Sequence, residues 1–161
     1  MYSLSHRAKP GFRLHDRPLK CTSTFEGAYF CAMQHDITLP ADVKLLIDTF
    51  YGKVQSDELL GPIFNEVAQV DWPRHLPVMY AFWEFLLLGY GDAYRGNPIQ
   101  KHFDLHQKYP LKAAYFDQWV ALFQSTVDEL FAGPKAEEAK FRAFAIAATW
   151  KPKFDGPFAV G

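Results

Sequence analysis

An all-α fold is what this sequence predicts, and three observations carry the prediction. Apolar residues recur at helical spacing over several stretches after residue 38. No stretch alternates apolar and polar residues as a half-buried strand would. Proline and Asn-Pro steps fall where helices would start. The 161 residues suffice for one domain with a substantial core, and 49% apolar against 22% charged residues is the balance of an ordinary globular chain.

The first helix is expected over 41–55, where Val43, Leu46, Ile47, Phe50, Tyr51 and Val54 share a face and Pro40 lies near the start. Gly61-Pro62 breaks the chain, and Pro62-Ile63-Phe64 makes a short apolar turn. Asp71 is placed to cap a helix running to about Leu88. Pro73 is tolerated in its first turn, whereas Pro77 lies deep enough to bend or loosen that segment. Residues 89–98, rich in Gly, Asn and Pro, are a loop. Asn97 and Pro98 then act as cap and first position of a brief helical turn holding His102. Helices from about Ala113 to Phe131 and from Pro134 to about Phe154 follow, separated by Gly133-Pro134.

The N-terminal segment reads differently. Arg7, Lys9, Arg13, Arg17 and Lys20 face only Asp16 and Glu26, and helical periodicity is absent. No continuous apolar region follows the basic stretch, which argues against a secretory signal. Residues 1–36 are therefore expected to be an extension, disordered or foreign to the natural product, ahead of a domain at 37–161, with Met33 a plausible true start. Cys21 and Cys31 form no metal motif, and without C-x-x-C-H a covalent c-type haem is excluded; a single disulfide and a reduced pair both stay open. A net charge of −1 gives no support for nucleic-acid binding. No stretch approaches the roughly 20 apolar residues of a membrane span, so a cytoplasmic location is expected.

The aromatic share of 17% is high. A dense core accounts for it, and so would the walls of a large flat cofactor. His75 and His102 lie among these residues with no acidic cluster around them. That setting suits a ligand to a flat apolar cofactor, and haem iron is commonly held by one such histidine. His75, Met79, Phe82 and Leu86 form one stripe, with His75 at its N-terminal end, able to enter a pocket or swing to water. Tyr51 and Trp119 sit on inward faces of their helices, and each carries a hydrogen-bond donor that could be aimed at one small anion-like ligand. His106, four residues after His102, could pair with it on zinc, but the only further ligand nearby is Asp104.

Residues 41–154 resemble the group III truncated haemoglobins. The resemblance rests on Thr49-Phe-Tyr-Gly-Lys-Val54, Leu60-Gly-Pro-Ile-Phe-Asn65, Trp72-Pro-Arg-His-Leu-Pro-Val-Met79, Phe82-Trp83, Lys101-His-Phe-Asp-Leu105 and Phe116-Asp-Gln-Trp-Val-Ala-Leu-Phe123. It implies a truncated globin, a two-over-two helical sandwich around non-covalent haem b. By position, His102 matches the proximal iron ligand, and Tyr51, His75 and Trp119 match the distal polar residues. Phe50, Phe64, Met79 and Trp83 match pocket walls, and Phe82 joins them from the α-helical stripe.

The expected function is binding of dioxygen or another diatomic ligand at a five-coordinate iron, with redox chemistry on oxygen, nitric oxide or peroxide open. Such turnover, as a nitric-oxide dioxygenase or a peroxidase-like enzyme, would need an external reductase, because the chain carries no flavin or nicotinamide motif. The alternative is a protein that scavenges or senses a diatomic ligand without turnover. Charge-assisted bonds from Tyr51 and Trp119, worth about 1.5–3 kcal/mol each, would make ligand release slow.

Overall fold

The structure, a computed structural model, describes residues 34–90 and 96–154. The extension before residue 34 and the two cysteines lie outside the described residues. The chain divides into two units, Met1–Ala32 and Met33–Gly161, and the second carries everything below.

All regular structure among the described residues is helical: α1 (Pro40–Ser56), a single π-helical turn (Ile63–Val67), α2 (Trp72–Leu88), α3 (Pro98–Lys108), α4 (Ala113–Leu130) and α5 (Pro134–Phe154). The elements follow the expected order. No helix among the described residues is long and apolar enough to cross a membrane.

Among the described residues, four of the five α-helix starts have an identifiable cap or first-turn residue. Pro40 opens α1, and the Asp42 carboxylate accepts from the backbone N–H groups of Leu39 at 2.8 Å and Thr38 at 2.9 Å. An acid there also faces the positive end of the helix dipole. Asp71 caps α2 by accepting from the N–H of Arg74, and Asn97 caps α3 by accepting from the N–H of Gln100 at 3.2 Å. For α5 the cap comes from far along the chain: Asp36 accepts from the N–H groups of Lys135 at 2.9 Å and Ala136 at 2.8 Å. That close approach needs Gly133, whose φ is +147° and where a Cβ would fall 2.5 Å from the Asp36 carboxyl carbon.

Two sequence expectations change in detail. The short turn after Gly61-Pro62 is π-helical, packed so closely on α1 that a Cβ at Gly61 would lie 2.8 Å from the Gln55 carbonyl oxygen. The turn holding His102 extends to 11 residues. α2 is assigned as one helix through Pro77, and Gly89, in the left-handed region at φ +69°, ends it.

The helices form two layers. α1 packs on α2, α4 packs on α5, and α1 meets α4 while α2 meets α5. Buried alanines at 136, 139 and 143 bring the α5 backbone close to the main core, where Phe50, Trp83 and Phe123 are the largest fully buried side chains. A second, smaller core of Ile63, Leu111, Phe116, Ala147 and Phe154 gathers Phe103 and Trp150 at its edge. It is this second core that ties α3 to the end of α5.

Candidate functional site

His102 lies on the first turns of α3, half-buried. Its Nδ1 is 2.8 Å from the Pro98 carbonyl oxygen. A carbonyl can only accept, so the proton sits on Nδ1 and the lone pair on Nε2. Burial pushes the imidazole below its ordinary pKa against the opposing pull of that carbonyl, so the ring is neutral at pH 7. The backbone that makes this bond follows from the sequence. Proline at the first helical position leaves its carbonyl one turn before residue 102, and the Asn97 cap sets where the helix begins.

His75 sits one turn into α2. Its Nε2 is buried and has no hydrogen-bond partner. The ring stands edge-on to Tyr51 at 5.2 Å and to Trp72 at 5.9 Å. Burial lowers its pKa, and His102 lowers it further.

Around His75 the structure gathers several of the residues singled out above. Tyr51, 4% exposed, touches Phe50 at 4.8 Å, Phe64 at 6.2 Å, Trp72 at 5.7 Å and His75. Phe64 stacks on Trp72 at 6.0 Å. Trp119 reaches the cluster through Phe50, edge-on at 5.3 Å, and lies parallel to Phe123 at 5.6 Å. Phe50 is thus the shared support of Tyr51 and Trp119. Met79 and Phe82 are partly buried against the main core, and Trp83 is buried within it, stacked on Phe123 at 4.5 Å with Phe82 at 5.6 Å.

His106 is held differently from His102. Its Nδ1 accepts from the Leu111 N–H at 2.9 Å, and its ring packs 5.2 Å from Phe154. These contacts give it a structural place at the end of α3, and no cluster of metal-ligating side chains occurs among the described residues. Two residues escaped the sequence reading. Trp72 precedes His75 by three positions, a helical spacing that could have flagged it. Trp150, whose ring lies 4.7 Å from His102, comes from α5 and has no local signal.

No family model matches the chain. A group 3 truncated hemoglobin of Campylobacter jejuni is 37% identical over 92 residues, which span 55% of this chain and 69% of that protein. The crystal structure of a group III truncated hemoglobin from Campylobacter jejuni superposes with a TM-score of 0.66 at 30% identity, over 80% of this chain and 98% of that one. Aligned sequence and superposed helices lead to one assignment: this chain belongs to the group III truncated haemoglobins.

Proposed function

We propose that the protein binds haem b non-covalently, with His102 as the proximal ligand, and takes up dioxygen or another small diatomic molecule on the opposite face. One observation carries the reading: the bond from His102 Nδ1–H to the Pro98 carbonyl leaves a neutral imidazole with its lone pair on Nε2. This is the protonation state a metal-binding histidine needs, and the carbonyl both fixes the tautomer and raises the ligand's basicity. The family supports the same group, since its members are globins.

The residues present fit that cofactor on independent grounds. A buried polar atom without a partner costs about 1–3 kcal/mol, and His75 Nε2 is one. A ligand beside it would satisfy that atom. Haem would supply an iron that takes a diatomic ligand and changes oxidation state. The protein supplies the rest. His102 donates a lone pair, Tyr51 and Trp119 offer O–H and N–H donors braced by Phe50, and the aromatic cluster of Phe64 and Trp72 excludes water. Donors preset in a dry site stabilise developing negative charge more than water does.

The test is spectroscopic. Purified protein titrated with haem should show a Soret band and, in the ferrous form, an iron–nitrogen stretch in resonance Raman that disappears in His102→Ala. A Soret band absent from the wild type after titration, or an iron–nitrogen stretch unchanged in the variant, would sink the proposal.

A further inference from the structure

α3 carries His102 and is the least supported helix of the fold. None of its residues is fully buried, and among the described helices only the backbone of α5 comes close to it. Two aromatic side chains of α5 meet it. Phe154 lies 4.9 Å from Phe103 and 5.2 Å from His106, and it is itself anchored on Phe116 at 5.4 Å. Trp150 lies 4.7 Å from His102 with the two ring planes 60° apart. The half-buried indole therefore presses on the very imidazole that projects from the weakly held helix.

The His102 ring has two restraints of different kinds. The Pro98 carbonyl holds Nδ1, which fixes the tautomer and one point of the ring. A single hydrogen bond leaves the ring free to pivot about that point, because carbonyl acceptors tolerate a broad range of directions. An inclined aromatic ring beside it removes that freedom, since edge-to-face contacts have a preferred geometry.

We propose that Trp150 is a positioning residue for His102: it sets the rotation of the imidazole so that Nε2 presents one orientation. This rests on the reading of His102 as the haem ligand. The carbonyl sets the basicity of the ligand and Trp150 sets its direction. Groups outside a metal's own ligands are known to orient a ligating histidine. The last turns of α5 thereby become part of the proximal side of the site, although none of their side chains need touch the metal.

The experiment compares the ferrous, ligand-free iron–nitrogen stretch of the haem-loaded full chain with those of Trp150→Leu and Trp150→Phe, with far-ultraviolet circular dichroism recorded on each. Trp150→Leu should shift and broaden the band, as the ring samples more than one setting. Trp150→Phe should return a single band at the wild-type position, because it restores an aromatic neighbour. A Leu variant with the wild-type band, or Leu and Phe variants shifted alike, would overturn the proposal. Should the Leu variant unfold, the Phe variant decides: a single wild-type band supports the assignment and a shifted one refutes it. His102→Ala keeps the two readings apart, since a band that survives there refutes ligation by His102, whereas its loss beside unchanged Trp150 variants refutes the positioning role alone.

Discussion

Tyr51 and His75 stand edge to face in the aromatic cluster, and their chemistry predicts different experiments. In the proposed site the Tyr51 hydroxyl would donate toward a ligand that acquires negative charge. Tyr51→Phe keeps the ring contacts with Phe50 and Trp72 and removes the hydroxyl. A charge-assisted bond of about 1.5–3 kcal/mol corresponds to roughly 10–100-fold faster dioxygen dissociation in the variant. Stopped-flow dissociation rates equal to wild type would rule out the donor role. His75 gives a pH dependence. Burial, then His102, holds its pKa below the ordinary 6.5, so the unfolded chain binds a proton that the folded chain resists. Stability is therefore complete above 6.5 and declines as pH falls below it. In thermal melts, His75→Phe should lose less stability on acidification than wild type; His102, shifted in the same direction, leaves a residual slope.

Helix starts show where sequence alone suffices and where it fails. α1 depends on a carboxylate three residues after its cap, and Asp42→Ala should lower stability by about 1–2 kcal/mol in denaturant unfolding. Asp42 has the same sign as His75 but acts at lower pH. Burial pushes the Asp42 carboxyl up, but bonds from the Thr38 and Leu39 backbone and the nearby His35 outweigh it, so its pKa lies below 3.8. Its contribution is present above 3.8 and is lost as pH falls through the lower folded value. Starts such as Asp71 and Asn97 were legible because cap and helix are contiguous in the chain. The α5 cap was not, because Asp36 reaches Lys135 and Ala136 from the other end of the domain. α3 reads as a brief turn for the same reason: its later residues, Phe103 and His106, rest on Phe154 of α5. The site divides along this line too. His102 announces itself through an Asn-Pro cap and aromatic surroundings, while Trp150 becomes visible only when α5 folds back onto it.

Across the whole molecule, stability is expected to be uneven. α1, α2, α4 and α5 share the main core, in which Phe50, Trp83 and Phe123 are fully buried. α3 contributes nothing fully buried and is joined through the smaller core to α5. Regions with few buried apolar contacts open locally at a fraction of the global unfolding free energy. In the haem-free protein, backbone amides of α3 should therefore exchange with deuterium far sooner than those of α1 or α4. Haem bound through His102, as proposed, would add a link that exists only in the folded state, and such a ligand stabilises most the element that depends on it. Hydrogen exchange followed by mass spectrometry on the haem-free and haem-loaded chains should then show the greatest slowing in peptides spanning Pro98–Lys108 and a smaller change in Ala113–Leu130. Equal protection of both helices would mean that α3 is not the mobile proximal support, and that the second core holds it more firmly than its single helix neighbour implies.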